Sequence, residues 1–157
     1  MRPFLDVAVG ALVVDTGTAL ILQATGAGGE RVREWYRTLR VGAYAMDVLS
    51  LVIGVYVATR AADGIWAQMA IAVGVQMAHD LAFGAFVRSD AARGPLFGLF
   101  RRYADEVGAS ILWADAAMMV ATVLASRAVG LIPSASDCAL VGAIAAYAGL
   151  MTVYSFQ

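Results

Sequence analysis

Apolar residues run almost unbroken through five stretches of this chain, about 5–24, 41–59, 65–87, 108–126 and 138–156. Each holds 19 to 23 residues, against the roughly 20 that a helix needs to cross a bilayer. None alternates in the ten-residue manner of a membrane barrel strand, so helices are expected. The pattern predicts an all-α integral membrane protein, five transmembrane helices in a bundle, with residues 1–157 as a single membrane domain. The first stretch starts at Phe4 and contains Asp15. An acid there fits a retained helix better than a cleaved signal peptide.

Two of the connecting segments carry a different period. Val32, Trp35, Tyr36 and Leu39 recur at helical spacing among arginines, as do Leu96, Leu99, Phe100, Tyr103 and Val107. Both predict short amphipathic helices in the headgroup layer, about 31–40 and 95–107. Gly94-Pro95 is a natural start for the second. Trp35, Tyr36, Arg37, Arg101, Arg102 and Tyr103 are the expected contacts with lipid headgroups.

Composition agrees with the pattern. Sixty-one per cent of the residues are hydrophobic and 15% charged, where soluble domains carry about 25% charged residues. The charge distribution says more than the net charge. Eight arginines lie between spans one and two or three and four, and three lie on the other side. The positive-inside rule then gives N-terminus out and C-terminus in. No lysine occurs, which excludes a retinal Schiff base. The single Cys138 excludes an internal disulfide. A nucleic-acid partner has no support.

Four of the five stretches carry an aspartate well inside them: Asp15, Asp47, Asp80 and Asp115. Acids in hydrocarbon need a proton, a cation, a hydrogen-bonding partner or water. Measured from the arginine-rich side, Asp47 lies about 9 Å deep, Asp80 and Asp115 about 10 Å, His79 about 12 Å and Asp15 about 13 Å. Alternating helix directions thus bring four acids near one level. Gln76 shares a face with Asp80 and neighbours His79. Tyr44, Asp47 and Ser50 form a polar stripe, Thr16 and Thr18 flank Asp15, and Trp113 lies beside the layer. His79 and Asp80, being adjacent, project about 100° apart and are not expected to face one substrate together.

Three states suit such a cluster. The acids share protons, or they hold a hard divalent cation such as Ca²⁺, Mg²⁺ or Mn²⁺, with Asp47, Asp80 and Asp115 as metal ligands. Zinc or iron on His79 and the aspartates has less support. The plain structural alternative is that each acid bonds a neighbouring helix and fixes the bundle's register, for under about 1 kcal/mol apiece.

Asp15 and Asp47 stand 65 and 68 residues before Asp80 and Asp115. That spacing suggests two parallel copies of a two-helix repeat, with the fifth helix outside it. The fifth helix offers small-residue faces at Ala139/Ala143 and Gly142/Ala146, suited to close packing on the bundle or on another subunit. The motifs Trp35-Tyr36, Met46-Asp47-Val48, Gln76-Met77-Ala78-His79-Asp80, Tyr103-Ala104-Asp105-Glu106-Val107-Gly108, Ala114-Asp115 and Met118-Met119 fall within residues 35–126. On them the chain resembles small multi-span membrane proteins of algal large DNA viruses and protists. The resemblance implies a membrane fold and no mechanism.

The leading expectation is a cation- or proton-binding channel or transporter using Asp15, Asp47, Asp80, Asp115, Gln76 and His79, assembled as a homo-oligomer. The alternatives are an accessory subunit of a large respiratory or photosynthetic membrane complex, and a metal-dependent enzyme acting on a lipid. No catalytic residue is singled out.

Overall fold

A computed structural model describes residues 2–156, with Val107 described by its backbone alone. The part expected of the Val107 side chain in the second amphipathic face lies outside the described residues. Seven α-helices and no strand occur among them: α1 (Pro3–Thr25), α2 (Gly29–Leu39), α3 (Val41–Ala61), α4 (Ile65–Val87), α5 (Pro95–Val107), α6 (Ser110–Val129) and α7 (Ala135–Ser155). Five of these, α1, α3, α4, α6 and α7, are long and apolar enough to cross a membrane and fit a multi-pass integral membrane protein. The other two, α2 and α5, are the short amphipathic helices.

Local chemistry sets the ends. Pro3 and Pro95 open α1 and α5, where a missing N–H costs nothing. Gly26 ends α1 in the left-handed region at φ 69°, its N–H bonded to the Leu22 carbonyl. At the start of α7 the Ser134 side chain accepts the Asp137 N–H at 3.3 Å. This cap explains why α7 begins at Ala135, earlier than the hydrophobic run. Arg40, the one non-glycine residue with positive φ (48°) among the described residues, turns α2 into α3. Its guanidinium lies 5.4 Å from the Tyr154 ring centre.

Helices α1, α3, α4 and α6 form a ring: α1 packs on α3 and α6, and α4 packs on the same two. Close approach needs small residues. A Cβ on Gly10 would lie 2.6 Å from Ser126 Oγ and 2.8 Å from its backbone nitrogen. One on Gly54 would lie 2.8 Å from Met119 Cε. Outside the ring, α7 lies along α1 and also touches α3. Its buried face is Cys138, Gly142, Ala145, Gly149 and Thr152, a helical stripe in which Gly142 meets Val9 and Gly149 the Tyr44 ring. Of the two small-residue faces expected on this helix, the one with Gly142 packs inward, while Ala139 and Ala143 are exposed.

Two apolar clusters close the ring. Val7, Ala11, Leu51, Val55, Ala58, Ala72, Met119 and Val123 fill the half away from the arginine-rich loops. At the arginine-rich end, Val32, Trp35, Tyr36, Leu99 and their neighbours make the second. Between the two lies a space.

Gly10→Ala is expected to lower unfolding stability in detergent by about 1–3 kcal/mol, because the Ser126 backbone cannot move aside. Gly17→Ala, on the same helix with nothing within 4 Å of the added carbon, should cost nothing. Thermal unfolding of both variants measures the contrast.

Candidate functional site

The space inside the ring is a chamber of about 720 Å³, and Asp15, Asp47, Asp80, Asp115, Gln76 and His79 all line it. The folded bundle therefore brings together the four aspartates, Gln76 and His79. Alternating helix directions put them at one level, and the helix rotations point them inward.

The most deeply placed is Asp15. It is 0% exposed, and neither carboxyl oxygen has a hydrogen-bond partner among the described residues. Asp47 is half-buried, and its Oδ2 accepts the Tyr36 hydroxyl at 3.1 Å. On α4, Asp80 Oδ1 accepts the Gln76 amide at 2.7 Å and stands 3.1 Å from His79 Nδ1. Its Oδ2 is buried without a partner among the described residues. Asp115 on α6 lies beside Asp80 and Gln76 and within the field of Asp47. No arginine lines the chamber among the described residues, and the basic side chain that does, His79, stands beside Asp80 and leaves Asp15 without one.

His79 and Asp80 face the chamber together, contrary to the projection argument. The imidazole Nδ1 stands 3.1 Å from its neighbour's carboxyl, and the ring lies parallel to the Phe83 ring with centroids 5.9 Å apart. It is also exposed, with 57% of its side chain accessible.

Several sequence expectations are corrected. Among the described residues no three His, Cys, Asp or Glu side chains are grouped so as to hold a metal ion. Asp80 and Asp115 lie side by side, but neither Asp47 nor any other third ligand joins them closely enough to make a coordination sphere among the described residues. Trp113 is 80% exposed on the outer surface, because its position on α6 turns away from the ring. Thr16 and Tyr44 serve packing instead. The Thr16 hydroxyl donates to the Ala145 carbonyl at 2.9 Å, so the Tyr44 hydroxyl donates to Thr16, at 2.8 Å. That chain of bonds ties α7 to α1 and α3. Thr18 and Ser50 do line the chamber, although the Ser50 hydroxyl is donated to the Asp47 carbonyl.

The largest correction concerns the headgroup anchors. Trp35 and Tyr36 are buried and Tyr103 half-buried, and all three line the chamber. Helices α2 and α5 pack together over it as a cap. Trp35 meets Phe100 and Tyr103 at centroid distances of 4.9 and 6.0 Å, and Phe100 meets Phe83 of α4 at 4.8 Å. Arginine pairs stitch the cap outside. Glu34 takes Arg31 and, at 2.9 Å, Arg102, while Arg31 also reaches Glu106 at 3.2 Å. These two guanidinium groups hold the Glu34 carboxyl below its usual range. Arg101 donates to the Ala92 carbonyl, and Arg37 is exposed at 3.6 Å from Glu30. Exposed pairs contribute little, so the aromatic contacts carry the cap.

Burial, then the charges of Asp47 and Asp15, push the Tyr36 phenol above its ordinary range. Burial, then Asp115, Asp47 and Asp80, do the same to Tyr103. Both phenols therefore remain un-ionised donors facing the acids. The spacing of Trp35, Tyr36, Leu39 and their α5 counterparts signalled burial correctly, but periodicity does not say whether an amphipathic face meets lipid or protein. The chain matches no protein-family model, no curated protein and no solved structure.

Tyr36 and Tyr103 should stay un-ionised above pH about 10, where a free phenol ionises. The folded state then keeps protons that the unfolded state releases, so stability falls as pH rises beyond that point. Ultraviolet titration of wild type and Tyr36→Phe should give equal phenolate absorbance while the protein is folded. The difference of one tyrosine should appear on unfolding.

Proposed function

We propose that this protein binds a cation or protons in the acidic chamber and carries them across a membrane, with the arginine-rich loops on the cytoplasmic side. Asp15 carries the reading. A bare carboxylate with no exposure to the outside and no hydrogen-bond partner among the described residues is unfavourable, so in this reading the group holds a proton or faces a cation in the chamber. Structural anchoring does not account for it, since an anchoring acid bonds something and Asp15 bonds nothing among the described residues.

The surroundings favour a carrier over an open pore. Beyond the acids the ring is filled by Met119, Val55, Val123 and Ala58, each at most 1% exposed. Passage therefore requires the helices to move. The spacing of Asp15 and Asp47 from Asp80 and Asp115 suggests two halves for such motion, α1 with α3 and α4 with α6, with α2 and α5 meeting over the shared chamber. Two such halves rocking about a central site is a common plan for carriers. No observation specifically favours an accessory subunit or a lipid-directed metal enzyme.

Reconstitution in liposomes tests the proposal. Wild type should dissipate an imposed proton or cation gradient. Asp15→Asn, Asp47→Asn and Asp115→Asn should each slow this by about tenfold or more, as expected for losing one charge-assisted contact. Asp63→Asn, in an exposed loop, should leave it unchanged. Absence of flux through folded wild type, or undiminished flux through Asp15→Asn, would overturn the reading.

A further inference from the structure

Resting on that reading, the geometry points to the class of cation: we propose that the chamber takes a lipophilic organic cation, held by Asp15 and its neighbouring acids against aromatic walls.

Size is the first argument. About 720 Å³ falls within the roughly 300–1,000 Å³ typical of small-molecule pockets, and a water needs only about 30 Å³. A monatomic ion would fill only a small part of the chamber and leave the rest to water. No coordination sphere forms among the described residues. Hard cations need several oxygens converging at bonding distance. Here Asp80 and Asp115 pair while Asp15 and Asp47 stand on α1 and α3, and no three ligands group among the described residues, which suits a charge delocalised on a larger body.

The walls make the third argument. Leu22, Val32, Leu51, Val75, Val87 and Met118 line the chamber between the acids. Trp35, Phe83, Phe100 and Tyr103 gather at the capped end, and aromatic faces attract organic cations within about 6 Å. Apolar walls with a few placed polar groups are the usual make-up of an organic ligand site. Asp15, buried with both oxygens unpartnered among the described residues, supplies the attraction such a ligand would satisfy.

An entry route follows from the exposed members of the lining. Met46, Leu49 and Ile53 of α3 and His79 of α4 line the chamber and are also exposed. These residues lie along the middle of their helices, so the chamber meets the surface of the bundle between α3 and α4. In a membrane that surface faces lipid, where a lipophilic cation accumulates.

The test uses tetraphenylphosphonium as the probe and triphenylphosphine oxide as its uncharged counterpart. The chain holds three tryptophans, and Trp66 and Trp113 are each 80% exposed. Replacing both by Phe leaves Trp35 in the chamber cap as the sole reporter. Tetraphenylphosphonium should quench Trp35 saturably in purified full-length protein. Asp15→Asn should weaken binding about tenfold or more, and Asp47→Asn should weaken it in the same direction. Circular dichroism verifies that each variant is folded. The uncharged probe should bind weakly and equally to wild type and variants.

Equal affinity of tetraphenylphosphonium for wild type and both Asp variants would overturn the inference, as would absence of binding to folded wild type. If the probe fails to bind while the aspartate variants still abolish proton flux, the organic ligand is eliminated and the acidic carrier stands. If the probe binds through Asp15 but no flux occurs, the ligand class stands and transport does not.

Discussion

A carboxyl group deep in an apolar bundle, with no base beside it, is the constraint around which the rest of this structure is arranged. Transfer of an isolated charge out of water is so unfavourable that the group must neutralise or be accompanied. Most buried acids meet this condition inside their own protein, by an arginine or by several N–H donors. Asp15 does not, among the described residues. Three further acids share its chamber, and His79 stands beside Asp80 alone, so under the proposed reading protons or a bound cation meet the rest of the demand for positive charge.

Each part of the fold can be understood from that demand. The ring of α1, α3, α4 and α6 supplies one acid per helix. The cap made by α2 and α5 closes the arginine-rich end with aromatic rings, and its Tyr36 hydroxyl gives Asp47 the hydrogen bond that Asp15 lacks. All the arginines of this end stay outside the chamber, several committed to Glu30, Glu34, Asp105 and Glu106. Keeping the bases paired elsewhere leaves the acids available. The seventh helix shields α1 from outside, and its Thr16 and Tyr44 bonds help fix the helix that carries Asp15.

The helices were readable in the sequence because lipid-length apolar runs admit few other structures, and every span boundary falls within three residues of its expected place. The convergence of Asp15, Asp47, Asp80 and Asp115 was readable too, since depth follows from residue count and helix direction. Rotation about each helix axis was not. That is why Trp113, close in depth to the acids, turns outward, and why Tyr44 turns to α7. The cap was legible as two amphipathic helices, yet its destination depended on contacts between residues far apart in sequence, such as Trp35 with Phe100. A metal site was an expectation from residue types, and no three of those residues come close enough to hold an ion among the described residues.

Labelling with dicyclohexylcarbodiimide, an apolar reagent that attacks protonated carboxyls, probes the chamber most directly. Folded protein in lipid would be treated near neutral pH and its peptides mapped by mass spectrometry. Modification is expected at the chamber aspartates, Asp15 among them, with Asp63, Asp90 and Asp137 in exposed positions left unmodified, and a bound cation should protect the chamber. Labelling of the exposed acids alone, or none at Asp15 with or without cation, would contradict a chamber whose acids hold exchangeable protons or cations.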